Sequence, residues 1–141
     1  MKRTATADWQ GALVNGHGTL DLMSGAFRKQ PYTHKGRFVD EAGQSGTNPE
    51  ELIAAAHSGC FAMQLALFLA ENGTPAENLE VTAEVELVPG TGITGSALTL
   101  RAKIPGIDEA RFNELADKAK GGCPVSRALS AINITLTAEL L

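Results

Sequence analysis

Aromatic residues are scarce in this sequence, with one Trp, one Tyr and five Phe among 141 residues. None interleaves with basic residues in the manner of a base-stacking surface. An excess of positive charge is also missing: 12 Lys and Arg against 16 Asp and Glu leave a net charge of −4, which argues against a nucleic-acid partner. Long hydrophobic runs are absent. The most apolar stretch, Phe61 to Ala70, is short for a bilayer and is interrupted by Gln64. The first residues hold Lys2 and Arg3 with no apolar segment behind them, so no signal peptide is expected and the cytoplasm is the expected compartment. Cysteine is limited to Cys60 and Cys123. In a reducing compartment two cysteines are seldom a permanent staple, so they are either inert core thiols or redox-active ones. The three histidines, at 17, 34 and 57, show no metal-ligand spacing among themselves or with the cysteines, so neither a metal nor another cofactor is expected.

What is present reads as one domain spanning residues 1–141, of the α+β class. Leu79, Val81, Ala83, Val85 and Leu87 alternate with Glu80, Thr82, Glu84 and Glu86, which predicts a half-buried strand. Turn residues from Pro89 to Gly92 follow, and Leu98, Leu100, Ala102 and Ile104 alternate again, which predicts a hairpin. A last strand is expected from Ile132 to Leu140. Shorter strands are expected around Ala5–Trp9, Gly18–Leu22 and Gly36–Val39.

Two helices mark their own starts. Asn48 is a good N-cap, Pro49 fits the first helical position, and Glu50 and Glu51 sit in the positive first turn, with Glu51 placed to close a capping box. This helix should run to about Glu71 and stop at Asn72-Gly73. From Ile53 to Ala70 its only clearly polar residues are His57, Ser58 and Gln64, so it must be buried nearly all round. A rod of about 35 Å would cross a domain of diameter near 37 Å, more than one chain of this length can cover on both sides. That predicts a two-fold homodimer. Asp108 caps a second helix ending at Gly121-Gly122, and a short third helix opens at Cys123-Pro124.

Cys123 at that N-cap would have its thiolate favoured by unpaired backbone N–H groups and the helix dipole, or would merely be a tolerable cap. Cys60 lies mid-helix, where no terminus stabilises a thiolate. Ile53, Ala56, His57, Gln64 and Leu67 fall on or near its face, an apolar wall with two polar groups. This is the expected substrate pocket. Arg37, in the presumed strand, could hold a thiolate with its guanidinium fork, and Glu50 could orient that fork. Glu50 lies about 15 Å along the helix axis from Cys60. A site using both therefore needs Arg37 to reach between them, or a second chain to supply part of it.

Several segments resemble the OsmC (osmotically inducible protein C) family: Pro31-Tyr32, Arg37-Phe38, Gly46-Thr47-Asn48-Pro49-Glu50-Glu51-Leu52-Ile53, Ala55-Ala56-His57 and Cys60-Phe61. Pro105-Gly106-Ile107-Asp108 and Lys118-Ala119-Lys120-Gly121-Gly122-Cys123-Pro124-Val125-Ser126 extend the match in order over essentially the whole chain. The resemblance implies a small α+β fold with antiparallel sheets on a long central helix, assembled as an intertwined homodimer with the active site at the interface. It implies a peroxidase acting on organic hydroperoxides and regenerated by thiols, dithiols in particular, with no prosthetic group, nucleic acid or membrane involved. The family's peroxidatic and resolving cysteines match Cys60 and Cys123, and its active-site arginine and glutamate match Arg37 and Glu50. The sister group of organic hydroperoxide resistance proteins carries its arginine nearer the N-terminus. Here Gly16-His17-Gly18-Thr19-Leu20 occupies that stretch, so the resemblance is to OsmC proper. Ser58-Gly59 replaces alanines often found before the cysteine. The rival expectation, from another class, is a carrier of a small hydrophobic ligand on the same fold, with incidental cysteines.

Overall fold

The computed structural model describes all 141 residues. The chain divides into two compact units, Met1–Leu52 and Ile53–Leu141.

The first unit is built on a three-stranded antiparallel meander, β1 (Ala5–Gln10), β2 (His17–Leu22) and β3 (Gln30–Thr33), in the order β1-β2-β3. Gly18 stands opposite both Trp9 and Tyr32 in this register. A Cβ at position 18 would come 2.5 Å from the Asp8 carbonyl oxygen and from the Tyr32 ring. Glycine is therefore required there. It lets the Trp9 and Tyr32 rings pack with centroids 5.3 Å apart. The expected strand at Gly36–Val39 is instead a short helix, α1 (His34–Phe38). Arg-Phe-Val reads as strand by composition, but Thr33 accepts a hydrogen bond from the Gly36 N–H (3.1 Å) and starts a helix one residue past β3. A local cap has overridden propensity.

The long helix α2 (Pro49–Glu71) opens as its sequence predicts, with the Glu51 N–H donating to Asn48 Oδ1 at 2.9 Å. The capping box is not completed. The Glu51 carboxylate instead accepts from the Thr47 hydroxyl at 2.6 Å. The helix ends at Asn72-Gly73, where Gly73 adopts φ +77°. Its most apolar 18 residues reach a mean hydropathy of 1.7, so by length and composition it could cross a bilayer. Judging the stretch from Phe61 to Ala70 alone understated it. Phe61, Leu65 and Leu69, however, are buried in a protein core.

That core belongs to the second unit, which holds β4 (Asn78–Val88), β5 (Gly92–Lys103), α3 (Glu109–Gly122), α4 (Pro124–Ala128) and β6 (Asn133–Leu140). Leu98, Leu100 and Ala102 alternate along β5 toward Phe61, Leu65 and Leu69, and Phe112, Leu115 and Ala119 of α3 complete the cluster. Arg111 donates to Asn72 Oδ1 at 2.8 Å and ties α3 to the end of α2. The sheet order is β4-β5-β6, antiparallel for the predicted β4–β5 hairpin but parallel between β5 and β6. The expectation of antiparallel sheets holds for the first sheet and for β4–β5, and is corrected at the β5–β6 pairing. Two helices intervene between Lys103 and Asn133, and such a crossover returns the chain in the same direction.

Candidate active site

Cys60 and Cys123 meet inside the second unit, their sulfurs 2.9 Å apart and unbonded. A disulfide needs roughly 2.05 Å, so less than an ångström of further approach would close one. Each is held by regular structure. Cys60 sits mid-way along α2, at the boundary between its core-facing residues and its exposed ones, and is partly exposed. Cys123 is fully buried at the joint of two helices. Its N–H donates to the Ala119 carbonyl at the end of α3, and its carbonyl accepts from the Arg127 N–H in α4.

The two sulfurs differ electrostatically. Burial, and then the hydrogen bond with Cys123, push the Cys60 thiol up, and the Val125 N–H offsets this only in part. Burial also raises the Cys123 thiol. Hydrogen bonds from Cys60, from the Ser126 N–H and hydroxyl and from the Val125 N–H outweigh it, and Cys123 lies below its ordinary value. A thiolate in this pair therefore rests more easily on Cys123, at the start of α4. No cation of the second unit stands among the groups acting on Cys60.

His57, one turn before Cys60, does not face a pocket. Its ring is fully buried, with Nδ1 2.7 Å from Ser96 Oγ and Nε2 2.8 Å from Ser126 Oγ. Desolvation lowers its pKa and keeps it neutral. Of the other expected pocket residues, Ile53 and Gln64 are half-buried, while Ala56 and Leu67 lie on the exposed side of α2.

Arg37 and Glu50 meet in the first unit, as a bidentate pair. Arg37 Nη2 donates to Glu50 Oε1 at 2.8 Å and Nε to Oε2 at 3.2 Å. Glu50 is 8% exposed, whereas the Arg37 side chain keeps about a third of its surface open, so the carboxylate fixes the fork and leaves it able to take a further partner. Beside Arg37 lies a groove of about 240 Å³ lined chiefly by Trp9, Leu13, Tyr32, His34 and Phe38. Sequence reading missed this groove, and it also missed Ser96 and Ser126. The single Trp and single Tyr in Gly-rich strands were the available signal for the groove. The serines had none beyond the position of Ser126 in the helix opened by Cys123. No cluster of three or more His, Cys, Asp or Glu able to hold a metal ion is present.

Residues 42–138 match the sequence model of the OsmC-like protein family. The chain is 44% identical to peroxiredoxin OsmC of Escherichia coli over 99% of its own length and 97% of that protein's. It is 32% identical to an organic hydroperoxide resistance protein of Xanthomonas axonopodis pv. citri, over 95% of this chain and 89% of the other. Among solved structures it resembles an organic hydroperoxide resistance protein OsmC from Legionella pneumophila, with a TM-score of 0.70, 26% identity and 96% of each chain covered.

Proposed function

The chain belongs to the OsmC-like protein family and is a thiol-dependent peroxidase, in which we propose that Cys60 reduces organic hydroperoxides and Cys123 resolves the product. The observation that carries this assignment is the unbonded approach of the two sulfurs at 2.9 Å, with one partly exposed and the other sealed in the core. Only the first is placed for a peroxide to reach. The Cys60 thiolate attacks the distal oxygen of ROOH, the O–O bond breaks, and the alcohol leaves with a proton. The sulfenic acid condenses with the Cys123 thiol, releases water and forms a disulfide, which an external thiol or dithiol reduces. The relatives' names give no support to a hydrophobic-ligand carrier.

The family resemblance gives Arg37 the role of the active-site cation, and its bidentate pairing with the Glu50 carboxylate, which fixes the guanidinium fork, supports that role. The aromatic lining of the groove beside Arg37 suits the organic group of a hydroperoxide. The functional unit is a homodimer. Ala55, Gly59, Met63, Ala66, Leu67 and Ala70 form a continuous exposed apolar face of α2, with Met63 77% and Leu67 52% exposed. Such a face is what a second copy would cover. The 141 residues act as one OsmC-like domain, since the family match runs across the boundary between the two units. Two free thiols in resolving distance suit the reducing cytoplasm.

One equivalent of cumene hydroperoxide should consume both thiols of each chain and leave a single-chain band of 14.8 kDa on a non-reducing gel. Thiols that persist would overturn the reading.

A further inference from the structure

His57 takes no part in the steps assigned to the two cysteines, yet it is fully buried and uses both ring nitrogens. A neutral imidazole carries one N–H and one lone pair. The ring therefore cannot turn without losing its bond to Ser96 of β5 or to Ser126 of α4. The two serines are themselves 2% and 6% exposed, so a bond lost here leaves a buried polar group unsatisfied.

The spacing of these residues repeats that of the cysteines. His57 precedes Cys60 by three positions on α2, and Ser126 follows Cys123 by three. Residues three apart on a helix share a face. The bond from the Arg127 N–H to the Cys123 carbonyl (3.0 Å) fixes the turn that joins Cys123 to Ser126. The 2.8 Å contact of His57 with Ser126 and the 2.9 Å contact of Cys60 with Cys123 are thus neighbouring rungs between two segments that run in opposite directions. A further contact lies one turn along α2, where a Cβ on Gly122 would sit 3.6 Å from the Phe68 ring and 3.8 Å from Gln64 Cδ. Van der Waals packing of that kind lets the segments slide, whereas a hydrogen bond fixes direction as well as distance.

We propose, on the assignment of Cys123 as the resolving residue, that the His57–Ser126 bond is the clamp that holds Cys123 at closing distance from Cys60, with Ser96 fixing the imidazole from the sheet. All three are positioning residues. They act through the backbone of α2 and the first turn of α4 and need no contact with either sulfur. In the closing step the Cys123 sulfur attacks that of the Cys60 sulfenic acid. The S–S bond forms, the S–O bond breaks, and the thiol proton leaves with the oxygen as water. The rate of such an intramolecular step depends on how closely the reacting atoms are held, and a misplacement of about 1 Å can cost roughly a hundredfold. The same closeness favours the disulfide at equilibrium, since it raises the effective concentration of one thiol at the other.

Rapid-quench mass spectrometry follows the two steps separately. Ser126→Ala and His57→Leu should form Cys60 sulfenic acid as the parent does, and should close the disulfide roughly ten- to a hundredfold more slowly. The double variant removes both partners and leaves neither unsatisfied, so it carries the test even where a lone partner prevents folding. It should close no more slowly than either single variant, because both break one bond. In a glutathione redox buffer the potential of the Cys60–Cys123 pair should rise by about 30–60 mV, the same ten- to hundredfold at about 30 mV per decade. A side chain that only stabilised the fold would lower the melting temperature and leave the closure rate and the potential where they are. Closure at the parent rate in the double variant, or an unmoved potential, would overturn the clamp. A parent enzyme whose sulfenic acid never becomes the Cys60–Cys123 disulfide would instead overturn the resolving assignment, and the clamp with it.

Discussion

The Cys60 sulfur lies 2.9 Å from that of Cys123, across 63 residues of sequence and at the meeting point of three helices. Neither cysteine needs a large rearrangement to reach the other. The division of labour between them should therefore show in simple substitutions. Cys60→Ser should eliminate turnover, since no other group can accept the oxygen. Cys123→Ser should still reduce one peroxide per chain and accumulate a sulfenic acid that dimedone traps. Equal single-turnover loss in both variants would exchange or abolish the roles.

Arg37→Ala should raise the pH at which peroxide attack begins and slow the attack. Losing a preorganised charged donor costs about 3 kcal/mol, or roughly a hundredfold in rate. Glu50→Ala should be milder, because it removes both hydrogen bonds that hold the fork but leaves the cation. A pH–rate profile of Arg37→Ala that overlays the parent's would exclude the guanidinium from the reaction.

Bulky organic peroxides should be preferred over H₂O₂. Burying roughly 100 Å² of an aryl or alkyl group in an aromatic groove is worth about 2.5 kcal/mol. Comparing kcat/KM for cumene hydroperoxide and H₂O₂ checks this, and equal values would contradict it.

Acid should weaken the fold through His57. Its pKa is lowered by burial, so below the unfolded-state value of 6.5 the unfolded chain binds a proton that the folded chain refuses. Stability from this group is present above that value and is lost as pH falls through it toward the depressed folded value. Urea melts of parent and His57→Gln should show a smaller stability gap at pH 5 than at pH 7. An unchanged gap would mean that the imidazole is not held neutral.

Met63→Glu, on the exposed apolar face of α2, should convert a dimer to single chains in light scattering coupled to size exclusion, with loss of turnover. A parent protein that is active at one chain mass at micromolar concentration would refute both the dimer and a shared site.

Features that neighbouring residues settle among themselves are legible in the order of the residues. Asn48 opens α2 and Gly73 closes it, Asp108 caps α3, and the period-two runs of β4 and β5 pair as a hairpin. These signals act over two to four residues, the spacing of helix turns and strand pleats. Where a local signal was weak, propensity misled, as at Arg37, which Thr33 draws into a helix. The tertiary structure decided which distant groups meet. No spacing indicates that Cys60 faces Cys123; only the family resemblance suggested it. Nor does any local pattern place His57 between Ser96 and Ser126, or return β6 parallel to β5. Those contacts follow from how α2, α3 and the sheet bury their apolar faces together, and that burial brings groups as far apart as 69 residues to within hydrogen-bond distance.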